Sequence, residues 1–423
     1  MTMSVLRMLT SRGWTLVILG AIVTVAAMLF GQNDLLWLGL LLIALPAVAM
    51  VMVGRSRMSL AVERRLNPAR APLGERLRGS LTLTKRGSLP LGLLQFEEAI
   101  PRQLGRRPRF TVHRFAGEWS RQVNYPLEGL ERGRYQVGPL LVRATDPFGL
   151  AKMDRRFAST RETMITPRIV PLSSMGSATG QGQSGDSTPQ RIGLVGADDV
   201  LVREYRAGDD VRRIHWRSTA RRDELMVRRE EQAWDPSVSV LLDNRSSAHA
   251  GMGQDSSFEW AVSAAASVAM HMISSGYRLS ILDTEGPLVD ADRLTPDELR
   301  ESVALTLTDV TMTSHNTSLA TMVRAATGHQ TGEVLIAITG RLSRDDVHAL
   351  VAMRSHRAQG LAMVLDVDTF TARRFRGDES LAGEHEAAID LLRRHAWRVV
   401  EVTGTTTIDE AWRSLDRVGV STR

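Results

Sequence analysis

The spacing of hydrophobic and polar residues changes along the chain, and the first pattern is one of unbroken apolar runs. Two runs without any charged residue occupy residues 14–30 and 35–53. Each is close to the roughly 20 residues that a helix needs to cross the hydrocarbon core of a bilayer. Because only residues 31–34 separate the runs, the pattern predicts a tight transmembrane helical hairpin within residues 1–57.

From residue 58 to residue 172 the hydrophobic residues alternate with polar ones. The stretch GSLTLTKRG places leucine and threonine in turn, which is the period of two expected for a half-buried strand. Similar runs between glycine- and proline-rich turns lie at residues 91–100, 109–115 and 135–144. Short strands at this spacing predict an antiparallel β-sandwich domain over residues 58–172. Within it the sequence DPFGL, residues 146–150, predicts a turn anchored by Phe148.

Residues 173–190 consist mostly of glycine, serine, threonine and glutamine, and one methionine is their only large apolar residue. Such a composition predicts a flexible linker. Its glycine spacing is similar to that of a nucleotide-binding phosphate loop, but Asp186 stands where that loop requires a lysine. An acid repels phosphate, so we expect no nucleotide there.

From residue 236 to residue 423 apolar runs of strand length alternate with amphipathic stretches of helix length. The predicted strands are residues 237–243, 278–284, 333–339, 360–367 and 397–403. The predicted helices are residues 257–273, 295–307, 318–326, 343–353, 387–396 and 407–415, the last with Thr407 as its cap. This alternation predicts a parallel sheet that is covered by helices on both faces.

Charge and cysteine content narrow the chemistry of the chain. The net charge is +6, and nearly all of the positive charge is arginine, since lysine occurs only at positions 85 and 152. The excess is modest for this length and does not require a polyanionic partner. There is no cysteine, which excludes disulfides, thiolate metal sites and cysteine nucleophiles.

The distribution of arginine around the apolar runs predicts the orientation of the hairpin. Arginine is absent from the link between the runs and lies outside them, at Arg7, Arg12, Arg55, Arg57, Arg64 and Arg65. Positive residues favour the cytoplasmic side of a membrane. We therefore expect a multi-pass protein of the cell membrane whose N and C termini are both cytoplasmic.

The segment at residues 191–235 is densely charged. Its central part, REYRAGDDVRRIHWRSTARRDELMVRRE, contains nine arginines and six acids. Asp209 or Asp210 can cap a helix from about Val211 to Ala220, and the stretch ELMVRRE predicts a strand. Because the acids can pair with most of the arginines, we interpret the segment as a folded joint between domains with a buried Trp216. A partner or anion site is the second interpretation, and nucleic acid is the least favoured.

The order of hairpin, β-domain, DPFGL turn, charged segment and α/β domain resembles bacterial domain-of-unknown-function family 58. The resemblance covers nearly the whole chain, and its most specific part is the spacing of Arg203, Tyr205, Gly208, Asp209, Arg213, Ile214, Trp216, Ala220, Arg221 and Leu225. It implies that the α/β domain is similar to a von Willebrand factor A domain. It also implies a partner, because members of this family are often encoded beside MoxR-type AAA+ ATPases. We expect the interaction motif to comprise Arg203, Tyr205, Gly208, Asp209, Arg213, Trp216 and Arg221.

The same resemblance implies a place for a metal ion, which von Willebrand factor A domains hold with the motif D-x-S-x-S, a threonine and a later aspartate. Asp243 and Ser247 match the motif and Thr317 stands at a plausible threonine position, but Arg245 replaces the middle serine. The later strand ends in Thr339 without a following aspartate. We therefore expect a degenerate site without a metal, in which Arg245 takes the place of the ion and pairs with Asp243. A serine at position 245 would still leave an anionic ligand missing.

No other set of residues indicates catalysis. The histidines lack metal-ligand spacing, helix capping explains Asp345 and Asp346, and nothing completes a site around Asp366 and Asp368. The sequence thus predicts a non-enzymatic, cofactor-free adaptor or scaffold that is anchored in the lipid bilayer, faces the cytoplasm and does not bind nucleic acid. The resemblance alone implies an AAA+ ATPase as its partner. The alternative is a metal-dependent binding or hydrolytic domain of the von Willebrand factor A type.

Overall fold

The computed structural model describes most of the chain, and it divides the chain into two compact units, Met1–Thr166 and Pro167–Arg423. The described residues are 8–55, 60–85, 91–115, 119–174, 198–204, 216–222, 224–232, 237–290, 294–313, 318–320, 334–354, 358–371 and 379–418.

The first unit begins with the predicted helical hairpin. Helix α1 spans Ser11–Phe30 and helix α2 spans Asn33–Arg55. The two helices meet at a pair of glycines: a Cβ atom at Gly20 would lie 2.9 Å from the carbonyl oxygen of Gly39, so a larger residue would force the helices apart. Both helices are long and apolar enough to cross a membrane, which confirms the prediction at that level.

After the hairpin, the described residues of the first unit form ten strands in three sheets. The strands are β1 (Leu60–Asn67), β2 (Arg70–Pro72), β3 (Arg76–Lys85), β4 (Leu91–Glu98), β5 (Arg109–Phe115), β6 (Trp119–Glu128), β7 (Gly133–Val137), β8 (Leu140–Thr145), β9 (Lys152–Phe157) and β10 (Arg161–Thr166). The sheets have the orders β1-β3-β6, β2-β10-β7 and β5-β4-β8-β9. All neighbours are antiparallel except β2 and β10.

The alternating pattern places one side of each strand in a shared core. On β3, Leu77, Leu81 and Leu83 are fully buried, and they belong to a cluster that also takes residues from strands of the other two sheets. The predicted strand run at residues 135–144 is two strands, because the chain turns between β7 and β8. The antiparallel character that the alternation predicts is therefore present.

Arg64, one of the arginines that follow the hairpin, is buried in the first unit. Its side chain is 3% exposed, and its Nε donates a 2.6 Å hydrogen bond to Oε1 of Glu98, which is fully buried. Its neighbour Arg65 is 76% exposed and pairs with Glu63 at the surface. The alternation of the strand explains the difference, since adjacent residues point to opposite faces.

The DPFGL stretch forms the predicted turn, but its anchor is Leu150 rather than Phe148. Phe148 is 68% exposed, whereas Leu150 is 5% exposed and packs with Ala49 and Val53 of α2. Both carboxylate oxygens of Asp146 accept backbone hydrogen bonds, from the N–H groups of Phe148 and Ala151. These bonds fix the turn with the ring of Phe148 on its outer side.

The second unit contains a six-stranded sheet and a two-stranded ribbon. The ribbon pairs β11 (Asp198–Glu204) with β12 (Met226–Gln232) in antiparallel fashion. The sheet has the order β15-β14-β13-β16-β17-β18, and β15 alone is antiparallel to its neighbour. Its strands are β13 (Ser237–Leu242), β14 (Arg278–Asp283), β15 (Gly286–Asp290), β16 (Val334–Thr339), β17 (Gln359–Leu365) and β18 (Trp397–Val402).

Helices cover both faces of this sheet, as the alternation of strand and helix predicts. The described helices of the unit are α3 (Trp216–Arg222), α4 (Ser257–Ser274), α5 (Pro296–Asp309), α6 (Arg344–Met353), α7 (Glu379–Arg394) and α8 (Ile408–Val418). Helices α4, α5 and α8 share a core cluster with one face, and α6 and α7 share a cluster with the other. Thr407 caps α8 as predicted, accepting from the N–H of Glu410. Most of the predicted helix at residues 318–326 lies outside the described residues.

The stretch before the predicted linker, from Pro167 onward, belongs to the second unit. The backbone N–H of Val170 donates to Oγ of Ser267 at 2.9 Å, and Nε1 of the fully buried Trp412 donates to the carbonyl oxygen of Ser173 at 2.8 Å. Residues 167–174 are thus held against α4 and α8. Residues 175–190 of the predicted linker lie outside the described residues.

Candidate functional site at the carboxyl edge of the parallel sheet

The six-stranded sheet has a switch point between β13 and β16. The chain continues from β13 to β14 on one side, whereas β16 lies on the other side. Ligands of open α/β sheets bind at such a point, outside the carboxyl ends of the strands. Here Asp243 follows β13 directly, and Thr339 ends β16.

Arg245 fills this switch point and holds two carboxylates. Its Nε donates to Oδ1 of Asp243 at 2.9 Å and its Nη2 donates to Oδ2 at 2.8 Å, which is the forked geometry that arginine makes with a carboxylate. Its Nη1 donates to Oδ1 of Asp346 at 2.8 Å. The three side chains are 8%, 0% and 7% exposed, so one guanidinium is shared between two buried acids. The pairing with Asp243 is the one expected from the sequence.

The second carboxylate comes from the start of α6. Ser343 caps this helix, and Oδ2 of Asp346 accepts from the N–H and Oγ of Ser343 at 3.0 Å. Helix capping therefore accounts for the hydrogen bonds of Oδ2 of Asp346, as predicted. The other oxygen, Oδ1, binds Arg245. Burial works to lower the pKa of Arg245, but the hydrogen bonds and charges of Asp243 and Asp346 outweigh burial and raise it. The guanidinium is thus a permanent cation between the two acids.

Asn244 ties the end of β13 to the end of β14. Its Nδ2 donates to Oδ2 of Asp283 at 3.0 Å, and its Oδ1 accepts from the backbone and hydroxyl of Thr284. Oδ1 of Asp283 accepts in turn from the backbone N–H groups of Glu285 and Gly286. Burial raises the pKa of Asp283, and these backbone bonds partly oppose the rise. The loop after β13 is thereby fixed on this side.

His249 holds the same loop through two hydrogen bonds of its ring. Its Nε2 lies 2.7 Å from the carbonyl oxygen of Asp243, and its Nδ1 lies 3.0 Å from Oγ of Ser257. Burial lowers the pKa of His249, although Asp243 opposes the shift. Both ring nitrogens are thus engaged with the loop, one at the backbone of Asp243 and the other at the hydroxyl of Ser257 that also bonds Ala250, so His249 positions the loop.

Gly340 brings the loop after β13 onto the end of β16. A Cβ atom at Gly340 would collide with the carbonyl oxygen of Ala248, so only glycine allows this close approach. Next to it, Oγ1 of Thr339 is buried without a hydrogen-bond partner among the described residues. The end of β16 therefore carries one buried hydroxyl that is not hydrogen-bonded within the described part of the chain.

Of the remaining residues of the expected metal motif, only Ser247 is described. Ser247 is exposed in a short turn, and Thr317 lies outside the described residues. The described residues contain no group of three or more histidine, aspartate or glutamate side chains that could hold a metal. A permanent cation between Asp243 and Asp346 repels Mg²⁺ and uses the oxygens that it would need, so the residues present do not fit a divalent ion.

Two clefts open at the same edge. One of about 540 Å³ is lined by Asn244, Asp283, Thr311 and Met312 among others. The other, of about 170 Å³, lies beyond β17 and contains the acids that the sequence singled out, Asp366 and Asp368. Arg341 pairs with Asp368 at 2.8 Å. In this second cleft the negative charge of Asp368 is neutralised by Arg341, which follows β16 as Arg245 follows β13.

The charged segment is described in part. Arg203 lies on β11, where its backbone alone is described, and Tyr205, Gly208, Asp209 and Arg213 lie outside the described residues. The described helix α3 begins at Trp216, and the predicted strand ELMVRRE is present as β12. Arg221 is exposed on α3.

The expectation of a buried Trp216 is wrong. Its side chain is 69% exposed, whereas Met226, among the side chains of this segment that the structure describes, is buried at 2%. The N–H of Met226 donates to Oγ1 of Thr219 at 3.0 Å, which joins α3 to β12 without Trp216. Truncating Trp216 to alanine is therefore not expected to cost the several kcal/mol that a buried aromatic would.

The comparisons with known proteins point to one family. The family described as "Protein of unknown function DUF58" matches residues 201–363, which confirms the predicted resemblance over this part of the chain. "Uncharacterized protein YeaD" of Bacillus subtilis is 26% identical over 226 residues. The match covers 52% of this chain and 54% of that relative, so the chain matches about half the length of the curated relative.

Similar solved structures give no argument about the fold. The CARDB domain of the PF1109 protein of Pyrococcus furiosus, in complex with di-metal ions, has a TM-score of 0.20 at 11% identity, with 26% of this chain and 93% of that chain covered. The alkylpurine DNA glycosylase AlkC of Pseudomonas fluorescens has a TM-score of 0.18 at 15% identity, with 32% and 39% covered.

Proposed function

We propose that this chain, whose residues 201–363 match the DUF58 family, is a membrane-anchored adaptor that faces the cytoplasm and binds a protein partner without catalysis. The observation that carries the proposal is the position of Arg245 between Asp243 and Asp346. It gives the switch point an internal cation, so that the edge is assembled without a metal or cofactor. A preassembled edge suits protein binding better than chemistry, which requires groups free to react.

The proposal includes a specific assignment of the two units. The first is a β-sandwich, supported by antiparallel sheets that share one core. The second is similar to a von Willebrand factor A domain, supported by an acid at the end of β13 and by helices on both faces of the sheet.

Two exposed methionines make the carboxyl edge a suitable protein-binding surface. Met252 is 93% exposed and Met312 is 46% exposed. Met312 lines the larger cleft beside Asn244, and Gly251, next to Met252, lies against the backbone of Phe370 beyond β17. Both methionines therefore lie at the edge that Arg245 organises. Methionine side chains are flexible and polarizable, which favours adaptable apolar contacts with a partner.

The docking proposal predicts that Met252→Asp combined with Met312→Asp reduces the capture of the partner from membranes by at least roughly tenfold, since losing two apolar anchors costs a few kcal/mol. Capture would be measured by affinity purification of the full chain followed by quantitative mass spectrometry. The matched control is His395→Asp, an exposed position just before β18 at the opposite edge of the sheet. Equal capture by the double variant and the control would refute a docking surface at the carboxyl edge.

The resemblance names a class of partner for this experiment. A MoxR-type AAA+ ATPase is the partner that we propose, and its recovery with the native chain and with His395→Asp supports the adaptor role. Recovery of a different protein that depends on the methionines would retain the docking surface and exclude the ATPase as its ligand.

The membrane part of the proposal rests on the hairpin. The apolar windows of α1 and α2 are only 17% and 22% buried, whereas a core helix of a soluble protein would be mostly buried. Lipid is the environment in which such exposed apolar surface is stable. The arginines outside the runs then favour a hairpin with both ends in the cytoplasm.

The orientation predicts the result of a reporter fusion. An enzyme that is active only outside the cytoplasm should be inactive when it is fused to the C terminus and active when it is inserted in the link at residues 31–34. The arginines near the hairpin all lie before its first apolar run or after its second apolar run. Because positive residues favour the cytoplasmic side, the C terminus should lie inside and the link outside. High activity of the C-terminal fusion would reverse the orientation.

A metal-dependent binding or hydrolytic domain is the second candidate function. It is favoured by the two carboxylates at the switch point and by the buried hydroxyl of Thr339, which has no partner among the described residues. Displacement of Arg245 would have to accompany metal binding in that case. Titration of the native chain with Mg²⁺ or Mn²⁺ separates the two candidates, as set out in the Discussion.

A further inference from the structure

The DPFGL turn is joined to the end of the hairpin by backbone contacts. Oγ1 of Thr10, just before α1, donates to the carbonyl oxygen of Gly149 at 2.6 Å, and the N–H of Thr10 donates to that of Leu150 at 3.0 Å. The N–H of Lys152 donates to the carbonyl oxygen of Met8 at 2.6 Å. The last two residues of the turn, and Lys152 just after it, are therefore paired with the residues that lead into the first membrane helix.

The turn also packs on the second helix of the hairpin. Leu150 and Ala151 form a buried cluster with Ala49 and Val53, and Val53 is fully buried. Val53 is near the end of α2, and Thr10 is at the start of α1, so the contacts lie at the same end of the hairpin. The turn is thus held at the level where the apolar spans begin and end.

Phe148 is the exposed apolar residue of this fixed turn. Two backbone hydrogen bonds to the buried carboxylate of Asp146 hold the turn, and the side chain of Phe148 is nevertheless 68% exposed. A side-chain carbon at the next residue, Gly149, would lie 3.8 Å from Nη1 of Arg12, which is exposed on the first turn of α1. The turn therefore presents an exposed apolar ring, and the residue after that ring lies close to an exposed cation, at the end of a membrane span. Exposed Phe together with Arg or Lys is typical of segments that bind the interface of a bilayer.

We propose that Phe148 inserts into the interfacial layer of the cytoplasmic leaflet and so fixes the orientation of the first unit on the membrane. The ligand is the phospholipid bilayer itself, with the ring among the upper acyl chains and Arg12 at the headgroups. This inference rests on the proposed transmembrane hairpin. It adds a contact that the hairpin alone does not require, because a sheet domain could follow a membrane anchor without touching lipid.

The chain lends itself to a direct test because it contains no cysteine. Single cysteines at Phe148, Ile22 and Leu130 would be labelled with an environment-sensitive fluorophore in the full chain. The chain would be reconstituted in vesicles of phosphatidylcholine and phosphatidylglycerol. Phospholipids with a nitroxide high on the acyl chain or near its end would then act as shallow and deep quenchers.

Leu130 is the matched control for Phe148. It is also an exposed apolar residue of the first unit, at 38%. The N–H of Leu130 donates to the carbonyl oxygen of Gln103, which lies in the stretch after β4. The last residue of β4, Glu98, pairs with Leu140 at the start of β8. The DPFGL turn follows the other end of β8, so the two positions are separated by the length of that strand.

The expected result is a blue-shifted emission at position 148, most of which is lost to the shallow quencher, with deep quenching at position 22 and none at position 130. If position 148 behaves like position 130 while position 22 is quenched, the anchor is refuted and the hairpin stands. A blue shift at position 148 without quenching would place the ring against protein and also refute the lipid contact. Absence of quenching at position 22 would refute the transmembrane hairpin and the anchor with it.

Discussion

Replacing Arg245 with serine lowers the thermal unfolding temperature of the second unit in metal-free buffer, and Mg²⁺ or Mn²⁺ restores part of the loss. The substitution leaves Asp243 and Asp346 buried without their shared cation. Breaking a buried ion pair by removing one partner costs about 3–5 kcal/mol. A divalent ion can take the place of the guanidinium, because the carboxylates of Asp243 and Asp346 both face the volume that Arg245 leaves.

The measurement is a thermal melt of the full chain in detergent, with hydrogen exchange of β13 and α6 to assign the transition to the second unit. From the sequence alone, a serine at position 245 would leave the metal motif without one of its anionic ligands. In the structure Asp346 brings a second carboxylate to Arg245, which the sequence pattern did not place there. The matched control is Arg245→Ser with Asp346→Asn, which removes that carboxylate while retaining its shape. Rescue by metal should be absent from this control.

The native chain provides the decisive comparison. Its Arg245 is a permanent cation, so calorimetric titration with Mg²⁺ or Mn²⁺ should give no saturable binding. Saturable binding at micromolar metal that Asp243→Ala abolishes would overturn the adaptor proposal and promote the metal-dependent candidate.

Replacing Arg64 with methionine destabilises the first unit by about 3–5 kcal/mol, because it leaves the fully buried Glu98 without its partner. The matched control is Arg65→Met, which removes a charge from an exposed pair with Glu63 and should cost less than about 1 kcal/mol. Thermal melts of the full chain in detergent, followed by hydrogen exchange in β1 and β4, measure both. Similar losses in the two variants would contradict the burial of Arg64.

The destabilisation of the first unit by Arg64→Met should also increase as the pH rises. Burial raises the pKa of Glu98, and the hydrogen bond and charge of Arg64 oppose this rise. Without Arg64 the pKa rises further above its value in the unfolded chain. The folded state then holds the proton more tightly, so its stability is present at acidic pH and is lost as pH rises through the folded pKa. The double variant Arg64→Met with Glu98→Leu removes both charges and should recover most of the stability without this pH dependence.

The sequence by itself determined the features that depend on local spacing. Unbroken apolar runs specify α1 and α2, alternation specifies β3, and alternating strands and helices specify the parallel sheet with both faces covered. The cap at Thr407 was also readable, because a capping box involves residues three positions apart. The arginine at position 245, where the metal motif has a serine, marks the end of β13 as unusual from the order of residues alone.

The tertiary structure decided which distant groups meet. Asp346 lies 101 positions from Arg245, and the sequence signalled its capping role but not its second partner. The alternation of β1 puts Arg64 on the inner face with Val62 and Leu66, but Glu98 is 34 positions away and its pairing with Arg64 cannot be read from that alternation. Phe148 and Trp216 were both expected to be buried, yet each is exposed, because Leu150 and Met226 occupy the interior beside them. Residue spacing specifies the elements, whereas burial and long-range pairing depend on how the elements pack, and packing places together residues that are far apart in the chain.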